Sequence, residues 1–286
     1  MPIVEEACAK VNLALHVTGR RPDGYHDLDM LVAFADVGDT LALTPSGEDR
    51  FDIDGPMAAG LSADRDNLVL RAVHGFRDLS DRTEPLAIRL TKRLPIASGI
   101  GGGSADAAAT LRGLCRLYDW PVDDPALAAL ALSLGADVPM CVAGLSARVT
   151  GVGERIAPTA GRLPFGLLLV NPGVGVSTPA AFRALERRDN PPLPALPALD
   201  SLSHLATFLV SKTRNDLEAP ARTIAPVIGE VLTAVATLPD VRLARMSGSG
   251  ATCFGLFDDR KAAELAGVRL AALHPGWWVK PAEVRF

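Results

Sequence analysis

The sequence predicts an α+β protein built as two lobes. Strand-period and helix-period segments alternate without settling into one repeated unit, each half carries its own glycine-rich loop, and 286 residues suffice for one large or two ordinary domains. A composition of 48% hydrophobic and 22% charged residues is that of a globular chain and excludes whole-chain disorder.

Val11–Val17 and Thr40–Leu43 read as strands, and Leu86, Ile88 and Leu90 alternate with Ala87, Arg89 and Thr91 in the period of a half-buried strand. That third strand runs into glycines. Beyond them Ala107, Ala108, Leu111, Leu114, Cys115 and Tyr118 fall at helical spacing, with Ser104 placed to cap the start. A helix follows over Pro125–Leu134, then a strand over Leu145–Val149 and a turn at Gly151 to Gly153. The lobe boundary is expected near Gly161, dividing the chain into residues 1–160 and 161–286. In the second lobe Gly166–Val170 reads as a strand, Pro191–Pro197 as a surface loop, and Leu202–Val210 and Ile224–Leu238 as helices. Paired strands Val241–Met246 and Ala251–Phe257 flank the second glycine loop, followed by a helix over Asp259–Leu273 and a strand near Trp277–Val284.

A net charge of -4, with both signs scattered, lacks the basic field that nucleic acid or an anionic membrane requires, so the expected ligand is a small molecule. Cys8, Cys115, Cys141 and Cys253 lie far apart, and neither they nor His16, His74, His204 and His274 show metal-ligand spacing; no metal site made by a protein cluster is expected. The cysteines read as small buried hydrophobes in a reducing compartment. Glu5, Glu6 and Lys10 stand where a signal peptide would need an apolar core, and no uncharged apolar run reaches about 18 residues, which points to the cytoplasm.

The segment from Leu94 to Ala108 packs Gly99, Gly101, Gly102 and Gly103 into five positions directly before a helix. Glycine lets backbone N–H groups approach a ligand with no Cβ in the way, and a helix start adds unpaired donors and the positive end of a dipole. The chemistry suits a phosphate. Ser104 stands where a dinucleotide fingerprint needs its third glycine, no Gly-Lys-Ser/Thr follows, and no protein-kinase catalytic loop occurs, so the common nucleotide templates are excluded.

Pro95 to Ala108 resembles the second motif of the GHMP kinases, whose loop wraps the phosphates of ATP. Three further segments agree, the first two resembling more narrowly the diphosphocytidyl-methylerythritol kinase family and the last the third GHMP motif. They are Ala9 to Leu13 with Gly19 to His26, Leu134 to Pro139, and Met246 to Thr252. Spread from residue 9 to residue 252 in the family's order, they cover essentially the whole chain. The resemblance implies a ribosomal S5 domain 2-like first lobe and a ferredoxin-like second lobe, with ATP and its Mg2+ as cofactors. One departure stands out: Ala97 and Ser98 replace residues that are commonly glycine, and Ala97 is strained if its position needs positive φ.

By the same resemblance Asp137 is the general base for the substrate hydroxyl, and Lys10 activates that hydroxyl and offsets developing charge. Pro95, Ala97, Ser98, Gly99, Ile100, Gly101, Gly102, Gly103 and Ser104 contact ATP, with Ser104 also a candidate contact for Mg2+. Asn67 and Lys92 lie near the adenine end. Asn12, Tyr25, His26, Thr178 and Phe182 contact a cytidine-diphosphate-linked methylerythritol, Tyr25 and Phe182 enclosing the base. Gly248, Ser249 and Gly250 form the third motif's loop. Read without the resemblance, the ordinary alternatives are a helix-capping Asp137 and an exposed strand Lys10. Asn215 reads as a helix N-cap without chemistry. Another GHMP kinase would keep the loop without needing Tyr25 and His26, and a non-catalytic nucleotide binder would need neither Lys10 nor Asp137.

Overall fold

The computed structural model describes residues 1–159, 163–197 and 201–286, so the boundary expected near Gly161 lies outside the described residues. In chain order the elements are β1 (Ile3–Arg20), β2 (His26–Pro45), β3 (Arg50–Asp54), α1 (Leu68–Ser80), β4 (Leu86–Thr91), α2 (Gly102–Tyr118), α3 (Pro125–Leu134), α4 (Val138–Ala143), β5 (Ala147–Gly151) and β6 (Arg155–Pro158). They continue with β7 (Pro164–Asn171), α5 (Thr178–Arg183), α6 (Leu202–Lys212), α7 (Glu218–Ile224), α8 (Val227–Ala236), β8 (Leu243–Met246), β9 (Cys253–Phe257), α9 (Arg260–Leu273) and β10 (Trp278–Arg285). The mixture is α+β.

The described residues gather into two compact units, neither a single run of chain. The first holds Met1–Ala9, Gly38–Ile96 and Gly101–Gly144. In it β4 pairs antiparallel with the end of β2 over Thr40–Pro45 and parallel with β3. The period-2 expectation for β4 holds: Leu86, Ile88 and Leu90 are buried, and Arg89 is exposed. Helices α1, α2, α3 and α4 pack on one another. Asn67 caps α1 by accepting from the Val69 N–H, and Asp124 caps α3 ahead of Pro125, whose missing N–H costs nothing at a first helical position.

The second unit holds Lys10–Val37, Ala97–Ile100 and Leu145–Phe286. Here β10 pairs antiparallel with β7, β7 with β9 and β9 with β8, while β5 pairs with β2 over Leu28–Val32. Helix α9 lies against β7, β9 and β10, burying Ala263, Ala266, Gly267 and Leu270. The Pro-rich stretch is fastened to the sheet: Asp29 accepts from the Leu193 N–H, and Arg148 bridges Asp29 to the Leu193 carbonyl.

The helix expected over Ile224–Leu238 is two. Ile224 ends α7, and α8 begins at Val227, because Pro226 drives Ala225 out of helical conformation (φ -133°, ψ 86°).

Candidate active site

In the second unit the segment Ala97–Ile100 is held by its carbonyls, one after another. The Ala97 oxygen accepts from the Val176 N–H (3.4 Å), the Ser98 oxygen from Thr252 N–H (3.0 Å), the Gly99 oxygen from the Ser247 hydroxyl (3.0 Å) and the Ile100 oxygen from Lys10 N–H (3.0 Å). In a trans peptide the C=O and the following N–H point to opposite sides, so each pinned carbonyl turns the next N–H away from its partner. Such a loop can offer its N–H groups to an anion as a cradle. Gly99 is at φ +75°, and a Cβ there would collide with the Ser247 carbonyl oxygen and lie 2.7 Å from Gly250 N. Reciprocally, a Cβ on Gly248 would lie 2.5 Å from Gly99 O. The two glycine loops approach backbone to backbone. Ala97 is at φ +49°, the strained alternative raised by its sequence.

Lys10, on β1, is 4% exposed and donates from Nζ to Asn12 Oδ1 at 2.8 Å. The Asn12 N–H donates to the Ser247 hydroxyl (3.0 Å), so one buried hydroxyl joins the lysine's strand to the Gly99 carbonyl. Thr178 opens α5 and shares a 2.8 Å hydrogen bond with Ser249. His26 stacks on Phe182 with centroids 4.7 Å apart and planes inclined by 18°, whereas Tyr25 is 62% exposed. Nε2 of His26 is buried without a hydrogen-bond partner. Burial, seconded by the charges of Arg188 and Arg20, holds the imidazole below its usual pKa, so the neutral ring is favoured.

In the first unit α2 starts three residues earlier than expected. Gly101 is its N-cap, in left-handed conformation at φ +68°, which leaves Ser104 inside the first turn and not at the cap. A glycine cap brings no side-chain bond, so the N–H groups of this turn keep their donors for a ligand. Pro95 is half-buried just before it. Lys92 is buried with Nζ 2.5 Å from Asp39 Oδ2 and 2.7 Å from Asp106 Oδ2. Asp39 also accepts from the N–H groups of Arg93 and Leu94, so the cluster fixes the chain entering the loop. Burial raises the Asp106 carboxyl to about 7, opposed by the Lys92 charge and reinforced by Asp39. Burial alone would depress the ammonium, but the Asp106 and Asp39 charges outweigh it and the Lys92 pKa stands raised. Asn67 spends its carbonyl on Val69 N–H and one amide hydrogen on the Ser62 carbonyl. Asp137 is half-buried at the N-cap position of α4 and makes no capping hydrogen bond, which disfavours the cap as its purpose.

Family models match in both halves of the chain: the GHMP kinases N terminal domain over residues 67–145 and the GHMP kinases C terminal domain over residues 193–275. A 4-diphosphocytidyl-2-C-methyl-D-erythritol kinase of Cereibacter sphaeroides is 53% identical over 280 residues, 97% of this chain and 98% of its own length. This chain belongs to that kinase family. The kinase of the same name from Paramagnetospirillum magneticum is 50% identical over 98% of this chain. A crystal structure of 4-(cytidine 5'-diphospho)-2C-methyl-D-erythritol kinase superposes with a TM-score of 0.80 at 35% identity, covering 99% of both chains. A homoserine kinase of Cytophaga hutchinsonii, 19% identical with a TM-score of 0.72, shares the fold.

The structure adds residues to this GHMP kinase that its sequence did not single out. Ser247 stood inside a recognised motif, but a serine among glycines carries no sign of which carbonyl it will meet. Asp39 and Asp106 give no local signal for pairing with Lys92. Asn215 is not the N-cap of α7, which is Leu217. Its Oδ1 accepts from Leu217 N–H, while Nδ2 donates to the carbonyls of Met246 and Gly248, both at 2.8 Å. The Asn215 side chain thus holds the third motif's loop.

Proposed function

We propose that this kinase transfers the γ-phosphoryl group of ATP to the 2-hydroxyl of 4-diphosphocytidyl-2-C-methyl-D-erythritol, giving the 2-phosphate and ADP. The reaction belongs to the methylerythritol phosphate route to isoprenoid precursors, and we place it in the cytoplasm. The observation that carries the substrate is the 53% identity, across 97% of the chain, with a kinase of that name. We retain 1–160 and 161–286 as the two functional lobes.

The residue roles rest on motif position and on the local geometry. Asp137 takes the proton from the substrate hydroxyl as that oxygen attacks, and Lys10, whose ammonium is buried and oriented by Asn12, offsets the charge that develops. The loop Ala97–Ser104, with its first carbonyls pinned and a helix dipole behind its end, binds the phosphates. The Mg2+ ion arrives with the nucleotide, with the Ser104 hydroxyl, in the first turn of α2, as its protein contact. When bound, Mg2+ neutralises phosphate charge. Asn67 and Lys92 meet the adenine end with what their internal bonds leave: the second amide hydrogen of one and the third ammonium hydrogen of the other.

Cytosine recognition falls to Tyr25, His26 and Phe182, with Asn12 and Thr178 as polar contacts and Gly248, Ser249 and Gly250 closing the loop. The orphaned Nε2 of a neutral His26 suits the edge of a pyrimidine, since a buried polar atom without a partner costs about 1–3 kcal/mol until one arrives. The test is ADP formation with and without the cytidine substrate. Background-level ADP with both would refute the reading, and Asp137→Asn should lower kcat by at least about 100-fold with ATP affinity nearly unchanged.

A further inference from the structure

Four consecutive carbonyls of the phosphate loop are sequestered, from Ala97 to Ile100, and their donors are unequal. Val176, Thr252 and Lys10 donate backbone N–H groups, which a change of side chain leaves in place. The Gly99 carbonyl is held by a side chain, the Ser247 hydroxyl. That hydroxyl has no exposure, accepts the Asn12 N–H and gives its single hydrogen to Gly99, so both roles are used in one orientation. At glycine a peptide turns over with little steric resistance, and Gly99 at φ +75° already occupies a conformation from which the following peptide can rotate.

The geometry points to Ser247 as a positioning residue that keeps the Gly99 carbonyl out of the phosphate site and the Ile100 N–H turned towards it. Without the hydroxyl, the Gly99 peptide is free to rotate. A carbonyl oxygen facing the phosphates would then replace a donor with a lone pair, repelling the anion where the wild-type loop binds it. The larger effect falls on the phosphate end of the nucleotide, because on the substrate side only the backbone N–H of Asn12 loses its acceptor. It does not reach the His26 and Phe182 stack, which lies on other elements of the same unit. This inference rests on the reading of the loop as the ATP cradle.

The experiment is isothermal titration of wild type, Ser247→Ala and Ser247→Cys with ATP and, separately, with the cytidine substrate, alongside steady-state KM for each. The alanine variant should raise Kd and KM for ATP about tenfold or more and raise those for the cytidine substrate by a clearly smaller factor, since Asn12 loses only the acceptor of its backbone N–H. Cysteine, a weak donor of nearly the same volume, should fall between wild type and alanine. A general loosening would weaken both ligands together. Unchanged ATP affinity, or equal losses for the two ligands, overturns the assignment; if the alanine variant does not fold, the cysteine variant is judged by the same two criteria. Wild-type protein that binds no ATP would instead sink the reading of the loop itself.

Discussion

Replacing Lys92 by Met tests whether the buried cluster it forms with Asp39 and Asp106 behaves as an interdependent unit. The ammonium is 4% exposed and lies between the carboxylates of Asp39, 0% exposed, and Asp106, 6% exposed. Methionine matches the stem but leaves two acids facing each other without a cation. Breaking a buried pair from one side costs about 3–5 kcal/mol, set against the roughly 5–15 kcal/mol that holds a typical domain. Asp39 retains the N–H groups of Arg93 and Leu94, so most of the penalty falls on Asp106, whose Oδ1 already lacks a partner. The double variant Lys92→Met/Asp106→Leu should therefore recover at least about 1 kcal/mol relative to Lys92→Met alone, a coupling of the size seen between contacting groups. Urea denaturation reads both, with an unchanged slope showing that the denatured state is comparable. A loss under about 1 kcal/mol in the single variant, or a double variant equal to the sum of its singles, would refute the cluster's interdependence.

Three further outcomes are expected. Phe182→Ala should raise KM for the cytidine substrate about tenfold, since base stacking is worth about 1–3 kcal/mol, while KM for ATP stays put; equal rises would remove the base pocket. Ala97→Gly should raise stability by about 0.5–1 kcal/mol, because relief of a positive φ (about 1–2 kcal/mol) exceeds glycine's extra chain entropy at this exposed position; a fall on thermal melting would show that φ is not positive there. The Arg77 guanidinium holds the Asp49 carboxyl at about 2, so its stabilisation is complete above the unfolded value near 3.8 and is lost as pH falls towards about 2. At 59% side-chain exposure, screening limits that contribution to under about 1 kcal/mol, and Asp49→Asn should flatten the stability curve over this range of pH.

What was legible in the sequence was local. The alternation of β4, the Asp124-Pro125 start of α3 and the Asp259 start of α9 each announce themselves within a few residues, and the structure has them there. Helix α1 is equally local, with Val69, Ala72, Val73 and Phe76 at helical spacing after the Asn67 cap. Serine is the commoner cap and Ser104 offers itself in the sequence, whereas Gly101 takes left-handed φ and starts the turn earlier. The rest is long-range. Ser247 meets Gly99 across 148 residues and Lys92 meets Asp39 across 53, pairings for which neither partner's neighbours give a sign. The motif resemblance points to the loops in sequence, yet it does not say which backbone group each loop turns inward.

Glycine-rich sequence suggests a flexible loop, and flexibility would count against phosphate binding, because each residue ordered on binding costs about 1–2 kcal/mol. The structure resolves the tension with contacts, not with stiffer residues. Gly99 and Gly248 are at positive φ and the opposing backbone leaves no room for a Cβ at either, while the pinned carbonyls remove the freedom that the missing side chains left open. The ordering cost is met during folding, when the Asn215 amide and the Ser247 hydroxyl find their carbonyls. That makes the strained Ala97 intelligible. In a loop held at every carbonyl from Ala97 to Ile100, one residue in an unfavourable region is carried by its neighbours' bonds, whereas in an unpinned loop the same alanine would drive the backbone out of the cradle.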